Sequence, residues 1–488
     1  MEDGVGVERP LKLHMLPFLS PGHMIPLGDI AALLASHGQQ VTIITTPSNA
    51  HFFTKSLSSV DPFFLRLHTV DFPSQQVDLS DGVESLSSNN DPATMAKICK
   101  GAMLLHEPIK EFVEKDQPDY IIADCVYPWI NDLVNKPNIS TIAFTGYSLF
   151  TVSLIESLRI DRSYSNKNSS SLVVPNFPHS ITFSSTPPKQ FVDYEERMLD
   201  TIRKTKGLII NNFAELDGED CIKHYEKTMG NKAWHLGPAC LIRKTFEEKS
   251  VRGNESVVSA HECLSWLNSK EENSVLYICF GSIAYFSDKQ LYEIASGIEN
   301  SGHAFVWVVP EKKGKEDESE EDKEKWLPKG FEERNIENKK GFIIRGWAPQ
   351  VMILSHTVVG AFMTHCGWNS TVEAVSAGIP MITWPVRGEQ FYNEKLITVV
   401  QGIGVEVGAT EWALHGFQEK EKVVSRHSIE KAVRRLMDDG DEAKEIRRRA
   451  QEFGRKATRA VQEGGSSHNN LLALIDDLKR LRDRKPLE

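Results

Sequence analysis

Paired cysteines are missing from this chain. It has seven, Cys99, Cys125, Cys221, Cys240, Cys263, Cys279 and Cys366, an odd number with no CxxC spacing. That excludes a disulfide framework and a cysteine zinc site, and fits reduced, buried thiols in a cytoplasmic protein. Long apolar runs are missing too. No stretch of 18 apolar residues occurs, so no membrane-spanning helix is expected. The opening MEDGVGVERP lacks the apolar core of a signal peptide, and the closing RDRKPLE carries no lipidation or retention signal. The Asn168 and Asn254 sequons then read as chance matches. Positive charge is the scarcer sign: 56 Lys and Arg stand against 67 Asp and Glu, a net charge of −11. Nucleic acid and anionic membrane are thereby excluded as main partners. No GxGxxG follows a strand pattern. GIGVEVG, residues 402–408, has the wrong spacing and no helix directly after it. Asp439-Gly440-Asp441 has DxD spacing but joins two helical patterns, so it reads as a turn, and no metal site is expected.

What is present fits a large α/β protein. A length of 488 residues, 40% apolar and 25% charged, suits two domains with a core each. Short apolar strands alternate with helical patterns. Residues 11–16 read as a strand, then a glycine-bearing loop, a helix over 24–36 and a strand over 41–45. Further strands are expected at 63–70, 119–123, 139–144, 206–213 and 233–236. Helices are expected at 94–114, 128–135 and 214–227. Residues 161–189 are rich in Ser, Asn and Pro and read as loop. Residues 243–259 are polar and aperiodic and read as a linker. A second set of strands is expected at 274–280, 304–309, 342–345, 358–365 and 381–384. Helices are expected at 263–267, 290–300, 371–376, 428–437, 442–463 and 466–482. The charged tract 312–325 reads as a solvated loop. The repeated units imply two doubly wound, Rossmann-like domains facing a cleft.

In open α/β sheets, ligands bind beyond the carboxyl ends of the strands. His23 lies in such a loop, and the pattern leaves it either a packing histidine or a site residue. Asp124 ends a buried strand and could simply cap the helix expected after it. Residues 347–390, WAPQVMILSHTVVGAFMTHCGWNSTVEAVSAGIPMITWPVRGEQ, hold the strongest signal. A strand runs into small, donor-rich residues and then a helix, which suits a phosphate at the helix start. His365 ends the strand, Asn369 and Ser370 occupy the first turn, and Glu373 lies one turn on, where a carboxylate can accept ribose hydroxyls.

This stretch resembles the signature box of plant family-1 UDP-glycosyltransferases over its whole length. Trp347, Ala348, Pro349, Gln350, His356, His365, Cys366, Gly367, Trp368, Asn369, Ser370, Glu373, Gly378, Pro380, Pro385, Glu389 and Gln390 carry the resemblance. It implies a GT-B fold. The expected domains are an acceptor-binding domain over 1–242, a linker over 243–259 and a UDP-sugar-binding domain over 260–460. A C-terminal helix over 461–488 is expected to pack back on the first domain. It implies Trp347 stacking the uracil, with Ala348 and Gln350 beside it, and Glu373 on the ribose. His365, Asn369, Ser370 and Ser282 are expected on the diphosphate, and Trp368, Glu389 and Gln390 on the sugar. His23 is implied as the general base and Asp124 as the carboxylate that orients it.

The expected reaction is inverting transfer of a sugar from a UDP-sugar, with no cofactor and no metal. Gln390 points to glucose, with UDP-xylose and UDP-galactose as alternatives. Arg387-Gly388, just before Glu389, is unusual for the family and could alter the sugar pocket. Other stretches, among them LPFLSPGHMIPLGDIA and EQFYNEKLITVVQGIGVEVGATEW, resemble a subgroup with triterpenoid and flavonoid enzymes, closest in look to legume triterpenoid enzymes. A small apolar acceptor is expected, a triterpenoid aglycone or saponin first and a flavonoid second, bound by a monomer. Two rival readings are weaker. An oxidoreductase lacks its dinucleotide motif, and a pure nucleotide-sugar binder would have no use for the His23 and Asp124 pair.

Overall fold

The computed structural model describes residues 9–58, 60–87, 91–133, 139–161, 171–242, 244, 245, 248, 249, 252, 253, 256, 260–309, 320–413 and 422–483. Most of the 243–259 linker, the first part of the 312–325 tract, both sequons and both chain ends lie outside them.

Seven strands form the first sheet: β1 (Lys12–Leu16), β2 (Gln40–Thr45), β3 (Leu65–Thr69), β4 (Tyr120–Asp124), β5 (Ser140–Thr145), then, after a short antiparallel hairpin of β6 (Leu172–Val173) and β7 (Thr182–Phe183), β8 (Gly207–Ile210) and β9 (Lys232–His235). All pair in parallel in the order β3-β2-β1-β4-β5-β8-β9. The second sheet holds β10 (Val275–Cys279), β11 (Ala304–Val309), β12 (Gly341–Arg345), β13 (Val359–Thr364), β14 (Met381–Thr383) and β15 (Gly404–Glu406), again parallel, in the order β12-β11-β10-β13-β14-β15. Strands such as YIIAD and VGAFMT are buried throughout, as parallel strands covered by helices on both faces must be.

In each sheet the strand order reverses at one place, between β1 and β4 in the first and between β10 and β13 in the second. Connections leave a crevice at such a point, beyond the carboxyl ends of the two strands. Leu16 pairs with Ala123 at the first crevice, and Cys279 with Thr364 at the second. The segments at the ends of these four strands carry His23, Asp124, Ser282, His365, Trp368, Asn369, Ser370 and Glu373, while Trp347, Ala348 and Gln350 follow β12 and Glu389 and Gln390 follow β14.

Several helices differ from the sequence reading, each for a visible reason. The helix expected over 94–114 is two, Pro92–Leu104 and His106–Asp116. Pro108 has no N–H to continue the ladder across Leu104. Asp91 starts the first of them two residues early by accepting from the amides of Ala93 and Thr94. The helix expected over 214–227 breaks at Gly218, whose φ is +81°. Over 128–135 the described residues form only a tight turn at Ile130–Leu133. The charged tract ends as a helix, Glu320–Trp326, which buries Trp326 in the second domain. The 161–189 stretch contains the β6–β7 hairpin. Several helices were not foreseen, the two longest being Leu149–Ile160 and Lys189–Arg203. Leu149–Ile160 is buried on every side over residues 149–158, so it has no polar stripe to reveal it. Lys189–Arg203 is amphipathic but comes directly after the proline-rich stretch.

The Ser466–Asp483 helix lies on the first sheet. Leu471, Leu474, Ile475 and Leu478 share a core with β1, β2 and β4. The Tyr120 hydroxyl donates to the Leu478 carbonyl at 2.8 Å, and Lys232 pairs with Asp477 at 2.9 Å. A continuous apolar core joins the two domains below the cleft, with Phe183 and Trp412 packed on Tyr392.

Candidate active site

Ser20 ends the loop after β1 and Pro21 begins the helix Pro21–Ser36, where its missing N–H costs nothing. His23 therefore sits in the first turn with its ring over the crevice. Asp124 is the last residue of β4, fully buried. Its Oδ2 lies 2.5 Å from His23 Nδ1, and its Oδ1 accepts the Val126 amide at 3.1 Å. One carboxylate thus caps the turn after β4 and orients the imidazole. The bond fixes the proton on Nδ1 and leaves Nε2 as the free base. Phe18 meets the ring edge-on at 5.7 Å, and Gly146, after β5, presses on its other side. A Cβ at position 146 would lie 3.0 Å from His23 Cε1. Burial pulls the His23 pKa down, but the Asp124 carboxylate, by charge and hydrogen bond, and then Glu389 outweigh it. The net value lies above the ordinary 6.5.

The opposite wall is built by the sequence around β13. Cys366 adopts φ +64°, a left-handed turn rare for a residue with a side chain, and Gly367 then caps the helix Trp368–Ala377. His365 is packed between Gly281 and Gly367, where any side chain would strike its ring. Burial, with Arg387 nearby, lowers its pKa to about 3, so it is neutral. Its buried Nδ1 has no protein partner among the described residues. A neutral imidazole with an unused nitrogen at a helix start can hydrogen-bond a phosphate oxygen.

The other expected donor-side residues converge on the same cleft of about 1060 Å³: Ser282, Trp347, Ala348, Gln350, Trp368, Asn369, Ser370, Glu373, Glu389 and Gln390 all line it, with His23. Their polar atoms are largely engaged. Gln350 Nε2 donates to Glu373 Oε2 at 2.7 Å and to Ser370 Oγ at 3.1 Å. Gln390 Oε1 accepts the amides of Val386 and Arg387 at 2.9 and 3.0 Å, so this glutamine shapes its own loop. Trp368 is buried, and its indole N–H donates to the Asn211 carbonyl at 2.9 Å. Asn369 donates to the carbonyl of Gly22 and accepts from Asn211 at 3.3 Å. The signature helix is thereby tied to the loop that carries His23. Burial raises the Glu389 carboxyl above its ordinary value, against the pull of Arg387 and His23.

Four participants escaped the sequence reading. Asn211 joins the domains, and its place just after β8 was the available signal. Arg252 lies in the aperiodic linker, where no pattern marks it. It is buried between Asp29 of the first domain, at 2.9 Å, and Glu373 of the second, which it also contacts directly. Gly253, at φ +91°, packs on Trp347. Tyr194 lines the first-domain side of the cleft from the unforeseen helix Lys189–Arg203, beside Phe191.

A base oriented by a carboxylate thus faces a helix start with a neutral histidine, across a cleft between two parallel-sheet domains. That is the layout of a nucleotide-sugar glycosyltransferase of GT-B type. The comparisons agree. The model of the UDP-glucoronosyl and UDP-glucosyl transferase family matches residues 232–439. UDP-glucosyl transferase 73CC6 of Saponaria officinalis is 45% identical over 98% of this chain and 99% of its own. UDP-glucose flavonoid 3-O-glucosyltransferase 7 of Fragaria ananassa is 43% identical over 96% of each. The crystal structure of UGT73P12 of Glycyrrhiza uralensis, complexed with glycyrrhetinic acid 3-O-monoglucuronide, superposes with a TM-score of 0.88 at 37% identity, covering 97% of this chain and 96% of that one. The chain belongs to the plant UDP-glycosyltransferases of family 73. No helix among the described residues is long and apolar enough to cross a membrane.

Proposed function

We propose that the protein transfers glucose from UDP-glucose to a hydroxyl or carboxyl group of a triterpenoid aglycone or saponin, in one inverting displacement without a metal ion. The observation that carries this reading is the His23–Asp124 pair facing the start of the Trp368–Ala377 helix across the cleft. His23 Nε2 takes the proton from an acceptor hydroxyl, and Asp124 stabilises the imidazolium that forms. The acceptor oxygen attacks the anomeric carbon opposite the UDP. A single displacement converts an α-linked donor to a β-glycoside, with no carboxylate nucleophile required.

On the donor side, Trp347 stacks the uracil and Glu373 accepts the ribose hydroxyls. His365, Ser370, Ser282 and the helix start hold the diphosphate and stabilise the leaving UDP. Asn369 shares that role while holding Gly22. Trp368, Glu389 and Gln390 bound the sugar. Glucose is favoured by Gln390 in the signature and by the names of two relatives, a glucosyl transferase and a UDP-glucose flavonoid enzyme. A triterpenoid acceptor is supported by the structural neighbour bound to glycyrrhetinic acid 3-O-monoglucuronide. The flavonoid relative supports the second reading, a flavonoid O-glucosyltransferase.

The test is product mass spectrometry with UDP-glucose and a mixed triterpenoid and flavonoid panel, with no added metal, beside His23→Ala. A gain of one hexose on a triterpenoid, lost in the variant, is the expected result. Hexose on flavonoids alone moves the acceptor to the second reading. Transfer only from another UDP-sugar refutes glucose, and transfer only after a divalent cation is added refutes the metal-free step.

A further inference from the structure

The cleft has a charge opposite to that of the chain. Its lining holds Lys100, Arg197, Lys249, Arg252 and Arg387 but only Glu373 and Glu389 as acids, in a protein of net charge −11. Arg252 is matched by Asp29 and Glu373, and Lys249 reaches Ser355 at the donor rim. Lys100, Arg197 and Arg387 remain, and none of them forms an ion pair within 4 Å among the described residues.

Arg387 is the informative one. It lies after β14, in the loop shaped by Gln390, and is half-buried. Its charge acts on His23, His365, Cys99 and Glu389, which places it where donor and acceptor meet. Two of those four, His23 and Cys99, belong to the first domain. The next residue, Gly388, packs against Phe191 of the first-domain helix Lys189–Arg203, which also bears Arg197. Lys100 comes from the first-domain helix Pro92–Leu104. The unmatched cations therefore face the acceptor side. A half-buried guanidinium without a partner is costly, and a carboxylate is the ligand group that matches its fork.

We propose that the preferred acceptor is an anion, with a carboxylate remote from the reacting hydroxyl held by Arg387 and drawn in by Arg197 and Lys100 at the mouth of the cleft. This rests on the glycosyl-transfer reading above and deepens it. Arg387 is a specificity-determining residue for the acceptor.

The experiment compares acid and ester forms of two acceptors, with UDP-glucose as donor. The pairs are oleanolic acid and its methyl ester, and quercetin 3-O-glucuronide and its methyl ester. Each ester keeps the hydroxyls of its acid, and only product carrying the hexose on a hydroxyl is counted. The expected result is a preference for the acid of about tenfold or more in kcat/KM, expressed mainly in KM. Arg387→Leu brings the acid-to-ester ratio to about one whatever it does to the overall rate, and Arg387→Lys retains part of the ratio. Arg197→Leu, at the exposed rim, reduces the same ratio and serves if Arg387→Leu does not fold. Equal turnover of acid and ester by the unaltered enzyme, or a ratio unmoved in these variants, overturns the inference and leaves the transferase reading standing. A variant effect confined to UDP-glucuronate as donor, with the acid-to-ester ratio intact, also overturns it, by assigning Arg387 to the donor sugar. No UDP release with any of the four acceptors overturns both.

Discussion

The two sides of the cleft rest on the same device, the switch point of a parallel sheet, yet they are assembled differently. The donor side comes from one run of chain, residues 347–390, with Ser282 and the linker's Arg252 added. Several of its polar side chains are already paired with one another: Gln350 with Glu373 and Ser370, Gln390 with its own loop, and Glu373 with Arg252. The acceptor side is drawn from the loops after β1, β4 and β5 and from the helices Pro92–Leu104 and Lys189–Arg203. It holds His23, a wall of aromatic rings and cations that form no ion pair within 4 Å among the described residues. A preorganised donor side suits one fixed ligand, whereas a dispersed acceptor side can change one segment at a time.

The comparison is broken most severely at the base. His23→Ala should lower kcat/KM by about 10²–10⁴-fold while leaving the UDP affinity unchanged, read as UDP release and as a binding isotherm. Equal loss of UDP binding would show that the two sides are not separable. On the donor side, Trp347→Ala should weaken UDP by about 1–3 kcal/mol, or roughly 5- to 150-fold in Kd, if the ring stacks the uracil. An unchanged Kd would make Trp347 a packing residue for Gly253.

Gly146→Ala tests the seam between them. The added methyl meets the His23 ring at 3.0 Å, so kcat should fall by about tenfold with the KM for UDP-glucose unaltered. Arg252→Ala should act in the opposite sense. With Glu373 released, the KM for UDP-glucose should fall about threefold, since ligand and guanidinium no longer compete for one carboxylate. A rise in KM would assign Arg252 to the nucleotide.

The smallest effect is a shift along the pH axis. The proposed general base must be neutral, and Asp124 raises the His23 pKa, so kcat/KM should rise with pH through a midpoint above 6.5. In Asp124→Asn the carboxylate is gone, burial dominates and the midpoint should move down, at a much lower rate throughout. A midpoint that stays in place would assign the titration to another group.

Much of the donor side was legible because it is local. Strand, small-residue turn and helix occupy consecutive positions, so His365, Asn369, Ser370 and Glu373 had readable places before any coordinates. His23 and Asp124 were legible only as residues at strand ends, and convergence across about one hundred residues needed the adjacency of β1 and β4. Leu149–Ile160 was hidden because burial on every side erases the periodicity that marks a helix. Arg252 was hidden because a buried ion pair across domains leaves no local pattern.

The sequence by itself determined the two-domain α/β plan, since alternating strand and helix periods arise from local sterics and hydrophobic spacing. It also determined the chemistry available at the nucleotide end. Only the tertiary structure decided that Asp124 meets His23 at 2.5 Å, that Arg252 holds Glu373, and that Arg387 lines the same cleft as His23 with no ion pair among the described residues. Those are juxtapositions of distant segments, fixed by which strands pair and how two domains close on one cleft, and no local propensity encodes them.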